Sequence, residues 1–457
     1  MYRVGFRTVV KKMNGDSITP ILIIRRLQGQ RKFLLEGSRQ FQGSGDYTYI
    51  GVNPLVSVVG SGDQLVETNH YTGKTTIHNG DPLGKLKEIM PEFSNDLEYP
   101  FIGGAIGYVS YDGMSGGSSK ECEINIPDIV FDFYDSIIIF DHKTEEVIFI
   151  HHEIQRTFEE ANIDSLIHQV FLSKEEESGR FELSPFESRM TEAEYSKLIK
   201  AAQQYIKSGQ VIQLVLSKRL IANFSGDSFA LYRKLRKETP APSMYYFQYS
   251  DYVIVGVSPE SIVKIDGSRV VISPVTGAKP RGATPREDMK VELNLLQSGN
   301  EVSAHNIMVD TCTQDLEKIC LPNSIRLIDY MKPVQFKHTI RLTTDIEGTL
   351  LPMSHPIDAL RALLPPASSS GVPKITAAQI VNEIEPVARS FYGGAIGYFS
   401  LNGNVNFTLL QQSMLIKDQR AYIQAGANVL TDTIEEEAIV ETRKKIKAFL
   451  SIDNTNE

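Results

Sequence analysis

Four glycine-rich segments hold the residues best suited to chemistry: 273–282 (SPVTGAKPRG), 368–374 (SSSGVPK), 392–398 (YGGAIGY) and 424–428 (QAGAN). Glycines let main-chain N–H groups converge on an anion, and Lys279, Arg281 and Lys374 sit in or beside these segments. Together they predict a cradle for a carboxylate, although each alone reads equally well as a turn carrying a cation. Glu260 adds an acid. It follows a Ser-Pro turn after an apolar run, where a glutamate either caps a helix or stands as a proton donor. No GxGxxG or Walker pattern is present, so nothing supports a nucleotide site. Cys122, Cys312 and Cys320 are too few and too scattered for a disulfide framework or a zinc site, which points to a reducing compartment.

The elements that must position these residues are mixed. Short β-branched and aromatic runs at 136–140, 147–150, 252–257 and 270–272 predict strands, and three-to-four spacing of apolar residues predicts helices over 192–207 and 435–450. Strands cluster before helices appear, which indicates an α+β fold rather than an alternating βαβ array. Residues 111–119 (YDGMSGGSS) read as a mobile loop and 172–188 as a charged connector. They divide the chain into 1–175, expected to give one sheet and a regulatory pocket, and 190–457, the two parts joining in one composite sandwich. An internal echo supports this picture. Residues 103–110 (GGAIGYVS) recur at 393–400 (GGAIGYFS) with seven of eight identical, as if two related sheets each need the same glycine-permitted approach of backbone.

Composition closes other doors. With 457 residues, 41% hydrophobic and 23% charged, the chain is of ordinary globular make-up. Its net charge of −9 gives no cationic field for a phosphate backbone, so nucleic acid is not an expected partner. No signal-peptide run or membrane-length apolar stretch occurs, and the expectation is a cytoplasmic protein with no membrane partner.

Taken in order, IKSGQVIQLVLSKR, PAPSMYYF, VGVSPES, PVTGAKPRG, AHNIMVDTCTQDLEKIC, IEGTL, SSSGVPK, YGGAIGY, QAGAN and VETRKK make the chain resemble the chorismate-utilising enzymes, most closely component I of anthranilate synthase. The similarity begins at 31–36 (RKFLLE), resumes at 101–112 and runs nearly unbroken from about 206 to 448. It implies a sandwich of two antiparallel-rich sheets packed face to face with helices outside. It also implies a Mg²⁺-dependent lyase reaction of the tryptophan pathway, in which ammonia aminates chorismate and pyruvate leaves to give anthranilate. A separate glutamine amidotransferase subunit would supply the ammonia, since none of the cysteines lies in a Gly-Cys-Gly-type elbow. Thr276, before Gly277, argues against the isochorismate, salicylate and aminodeoxychorismate synthases, which carry lysine there as base or nucleophile.

Carried over position by position, the resemblance makes Glu260 the acid that assists pyruvate departure. Gly277, Lys374, Tyr392, Gly393, Gly426, Ala427 and Lys445 become substrate contacts, and Glu301 and Glu441 metal ligands. Other positions depart from the pattern. The family holds Mg²⁺ with two glutamate pairs spaced three apart on helices, a spacing that puts both carboxylates on one face. Here the pairs read Glu301 with Ala304 and Ala438 with Glu441. The catalytic histidine is Arg341, which cannot exchange protons near neutral pH. His338, three residues earlier, would face the other side of a strand. The arginine aimed at a substrate carboxylate is Gln412, a threonine is Ala278 and a glycine is Asn428. The LLES motif associated with tryptophan feedback reads LLEG, ending at Gly37. These replacements imply weak or absent Mg²⁺ binding and slow or altered turnover. The alternative is a family member without catalysis that serves as a binding or regulatory subunit.

Overall fold

Alternate residues of the strand Ser136–Asp141 enter two different hydrophobic cores: Ile138 joins one and Ile137 and Ile139 the other. Such a strand is buried on both faces, and a continuous apolar run is the sequence it requires. The computed structural model describes residues 7–41, 43–90, 97–114, 120, 123–154, 161–174 and 179–450. Within them a 12-stranded sheet, an 11-stranded sheet and a 3-stranded sheet form, with every recorded strand pairing antiparallel. The fold is α+β.

The two large sheets face one another across an aromatic core. Phe33 and Tyr245 from the 12-stranded sheet meet Ile106, Tyr108, Tyr134 and Tyr398 from the 11-stranded one. Phe33 and Tyr134 pack edge to face at 4.8 Å, and the Tyr108 and Tyr252 hydroxyls bond across the layers at 2.8 Å. Helices cover the outer faces. Pro20–Arg26, Ala161–Leu172 and Ser228–Glu238 lie over the first sheet, while Gly299–Glu317 and Pro356–Leu363 lie over the second. The predicted helix spans Glu192–Lys207. Thr191 and Glu194 close a capping box at its start, and Tyr195, Ile199, Ala202 and Ile206 form its buried stripe. Among the described residues no helix is long and apolar enough to cross a membrane.

Residues 1–175 do not give one sheet: Phe33–Glu36 stands in the 12-stranded sheet and Gly104–Val109 in the 11-stranded one. Two further readings of the sequence need correction. The echoed octamers do not mark one sheet each: Gly104–Val109 and Ala395–Ser400 are adjacent antiparallel strands of the same 11-stranded sheet, with Gly107 opposite Gly397. Their glycines serve the outer neighbours. A Cβ on Gly107 would stand 1.8 Å from the Val130 carbonyl oxygen, and one on Gly397 would stand 1.9 Å from that of Asn406. The repeat therefore builds a local two-fold within one sheet. Second, the glycine/serine loop begins as structure. Tyr111–Met114 is a helical turn whose Asp112 accepts the Ser390 N–H at 2.7 Å, while 115–119 fall outside the described residues. The connector also contributes a strand, Phe181–Leu183, at the edge of the first sheet.

Candidate active site

Glu260 sits between the strands Tyr252–Ser258 and Ser261–Asp266, so no helix is there for it to cap. Its main chain is pinned. The Glu260 carbonyl accepts the Thr408 hydroxyl at 2.6 Å and the Leu409 N–H at 3.2 Å, and its own N–H donates to Ser258 Oγ at 3.3 Å. The carboxyl is buried and accepts the Ser368 hydroxyl at 2.5 Å. Burial lifts its pKa to about 7, against the pull of Ser368, Arg341 and Lys445, which favour the anion. A carboxyl tuned this way holds its proton close to neutral pH, as a general acid needs.

The sign of its contribution to stability follows. Between pH 4.5 and about 7 an unfolded Glu260 releases its proton while the folded one keeps it, so stability falls through that window and is flat above it. Glu260→Gln removes the penalty. Urea unfolding is expected to show the variant gaining on the parent by up to about 3 kcal/mol from the acid to the alkaline side of the window. A constant difference across pH would contradict the assignment.

Arg341 lies on the strand Thr339–Thr343 of the small sheet, its guanidinium 5.4 Å from the Phe336 ring and its Nε donating to Thr339 Oγ1 at 3.3 Å. Desolvation lowers its pKa, opposed by the charges of Glu260 and Glu441, which places all three groups in one electrostatic neighbourhood. Arg341, Tyr392, Gln412, Gln424 and Lys445 line a cleft with a free volume of about 20 Å³, room for roughly one water. The side chains themselves fill it. Lys445 Nζ donates to the Gly426 carbonyl and pairs with Glu441, both at 2.7 Å. His338 is outside this cleft, exposed and bonded to the Glu238 carbonyl at 3.0 Å.

A second cluster forms where the strand Val275–Pro280 passes the helix Gly299–Glu317. Gly277 takes φ +62, and a Cβ there would approach Glu301 Oε2 to 3.0 Å. Glu301 pairs with Lys279 at 2.7 Å. Behind them His305, not singled out by the sequence, is fully buried between two hydroxyls, Thr276 Oγ1 at 2.6 Å from Nδ1 and Thr344 Oγ1 at 2.6 Å from Nε2. Burial takes its pKa down to about 4, so it is a neutral strut that fixes the Gly277 turn against the helix.

Several expected contacts are arranged otherwise. Lys374, expected at a substrate carboxylate, is buried against Asp315 at 2.7 Å and the Ala362 carbonyl at 3.0 Å, so a carboxylate of this chain fills that role. Gly393 directs its N–H to the Leu410 carbonyl at 2.7 Å. Gly426 and Ala427 are buried in register with Ser217 and Leu216, where a Cβ on Gly426 would stand 2.4 Å from the Leu216 carbonyl oxygen. Asn428, Ala278 and Lys279 are exposed, and Ala304 is half-buried. Ala438 is buried in an apolar cluster with Tyr195, Ala427 and Val429. At Gly37 a Cβ would stand 2.6 Å from the Pro242 carbonyl oxygen, so the serine of the LLES motif has no room.

The donors do not make a divalent-cation cage. Of the four positions where the resemblance expects carboxylates, Ala304 and Ala438 carry methyl groups, and Glu301 and Glu441 each hold a lysine. Among the described residues no group of three or more His, Cys, Asp or Glu stands ready to hold a metal.

The framework around the cleft is organised by a residue pair that the motifs did not single out. Arg389 is buried and binds Glu385 in a fork, Nε to Oε2 at 2.7 Å and Nη2 to Oε1 at 2.6 Å. It also donates to the Ser369 and Val215 carbonyls at 2.5 and 2.6 Å and lies 4.7 Å over the Tyr111 ring and 5.7 Å over Tyr392. Glu385 Oε1 accepts the Ser217 N–H at 2.7 Å. One ion pair thus joins the segment 368–374, the strand Gln213–Gly226 and Tyr392. The only sequence signal is the i, i+4 spacing of Glu385 and Arg389.

Residues 31–451 match the family described as chorismate binding enzyme. The chain belongs to this family. Among the chorismate-binding enzymes it is 35% identical over 460 residues to anthranilate synthase component 1 of Lactococcus lactis subsp. lactis, covering 97% of this chain and 99% of that one. Anthranilate synthase component 1 of Acetivibrio thermocellus is 30% identical over 465 residues, covering 97% and 94%. The crystal structure of anthranilate synthase component I from Streptococcus pneumoniae superposes with TM-score 0.82 at 30% identity, covering 96% of this chain and 98% of that one. The menaquinone-specific isochorismate synthase of Escherichia coli, at 14% identity and TM-score 0.76 over 98% and 94%, shares the fold.

Proposed function

We propose that this chain acts as the chorismate-handling component of an anthranilate synthase-type pair, slowly converting chorismate and ammonia to anthranilate, pyruvate and the water formed from the displaced ring hydroxyl. The observation that carries the reading is Glu260, a buried carboxyl with pKa about 7 acted on by the positive charges of Arg341 and Lys445, which line the cleft. Once the side chains that fill the cleft move aside, a ring acid would bring its carboxylates to the cations while Glu260 gives its proton to the departing enolpyruvyl oxygen. Ammonia would arrive from a separate glutamine amidotransferase subunit in the cytoplasm. Mg²⁺ would assist weakly, if at all, given the occupied glutamates.

The rate is expected to fall about 10²- to 10⁴-fold below that of the Streptococcus pneumoniae protein, the usual loss when a general acid–base group is removed. Incubation with chorismate, ammonium and Mg²⁺, followed by anthranilate fluorescence, measures it. A second reading is favoured by the lysine-held glutamates and by Ala438 in its apolar cluster. In that reading the fold persists as a binding or regulatory subunit. A flat trace at high protein concentration with chorismate still bound would select it.

A further inference from the structure

The electrostatics of the cleft differ from those of a metal site in one respect. Glu301 is met by Lys279 from the strand Val275–Pro280, and Glu441 by Lys445 one helical turn further on, each at 2.7 Å. Both glutamates thereby have a cation in contact before any ligand arrives. The Lys445 pair is the local i, i+4 contact of one helix, whereas Lys279 reaches Glu301 from a separate strand. Arg341, half-buried, lines the cleft with Lys445 and feels the charges of Glu260 and Glu441; among the described residues its direct contacts are Thr339 Oγ1 at 3.3 Å and the Phe336 ring at 5.4 Å. A partly desolvated guanidinium whose direct contacts are a neutral hydroxyl and a ring keeps its fork of donors open to an incoming carboxylate. The Gln412 amide beside it adds a neutral donor, while that of Gln424 is held by Ser217 and Arg219.

We infer that this cleft takes its acidic ligand without a divalent cation, Lys279 and Lys445 occupying the glutamates that would coordinate one and Arg341 presenting positive charge to the ligand. The inference rests on the reading that the cleft receives chorismate or a ring dicarboxylate like it. A second consequence concerns the free protein. A magnesium ion would have to displace both lysines and would then be held by two separated carboxylates and water, fewer protein oxygens than a hard cation ordinarily takes.

The metal half is tested without any organic ligand. Manganese titrated into the full chain and followed by electron paramagnetic resonance is expected to stay free up to millimolar concentration. The double variant Lys279→Met, Lys445→Met is expected to bind it at least about tenfold more tightly, because the two carboxylates are released. Tight manganese binding by the parent, or no gain in the double variant with its thermal transition intact, overturns this half. The ligand half uses calorimetry with chorismate. Affinity in EDTA and in excess Mg²⁺ is expected to agree within about twofold, and Arg341→Gln to lose about ten- to a hundredfold in either condition. Loss of binding in EDTA overturns the inference while leaving the cleft as the chorismate site. Chorismate bound in neither condition overturns the reading beneath it, and the manganese result still decides the role of the lysines.

Discussion

Arg389→Ala is expected to destabilise the protein by about 3–5 kcal/mol, the range seen when one partner of a buried ion pair is removed and the other charge is left unpaired. The geometry puts it at the upper end. The guanidinium serves four acceptors, and its loss strands Glu385 among Ser217 and the surrounding core while freeing the Ser369 and Val215 carbonyls. Arg389→Lys should recover little, because an ammonium cannot form the fork or stack between the Tyr111 and Tyr392 rings. The double change Glu385→Gln, Arg389→Met should cost less than the single alanine, since no uncompensated charge remains. Chemical denaturation of the three variants measures this. Equal losses in all three would mean that the pair is merely packed and not electrostatic. Because the same arginine orders Tyr392 and the 368–374 segment, chorismate affinity in Arg389→Ala should fall together with stability.

Much of this architecture was legible because it is periodic. The helices Glu192–Lys207 and Glu435–Leu450 announce themselves by spacing, and strands such as Ser136–Asp141 by unbroken apolar runs that only a doubly covered sheet can bury. What periodicity cannot carry is partnership. The GGAIGY echo gives two identical strands but not the fact that they pair with each other, because register across a sheet is decided by residues 290 positions apart, the interval from Gly107 to Gly397. The site divides the same way. Glu260, Arg341, Gln412, Tyr392 and Lys445 were named from ordered motifs and do converge. Lys374 was named with them and faces Asp315, because a lysine beside a glycine-rich turn looks the same in sequence whether its counter-ion comes from a ligand or from the chain. His305 and Arg389 escaped notice for the complementary reason: their partners, Thr276, Thr344, Ser369 and Val215, are dispersed along the chain, and no spacing ties them to one another.

Restoring the four family-type residues at once, Ala304→Glu, Ala438→Glu, Arg341→His and Gln412→Arg, is expected to raise anthranilate formation from chorismate and ammonium by at least about a hundredfold and to make it Mg²⁺-dependent. The reasoning is one of charge. Two restored carboxylates add two negative charges, the imidazole removes one positive charge, and the arginine at 412 returns one. The cleft therefore becomes more negative by two, the charge that a magnesium ion supplies. Without the ion the variant should be less stable than its parent, because Ala438→Glu puts a carboxylate into the apolar cluster of Tyr195, Ala427 and Val429. With the ion it should recover, so a thermal transition that rises with Mg²⁺ in the variant and stays put in the parent reports the rebuilt cage independently of turnover. Leaving out Ala438→Glu gives the control for folding: that triple variant keeps the apolar cluster and should show the weaker metal response of three carboxylate positions. A quadruple variant that folds, yet gains neither rate nor metal response, would mean that these four positions do not face the cleft as assigned. In that case Arg341 must be read as a structural arginine held by Phe336 and Thr339 rather than as the ligand's receptor.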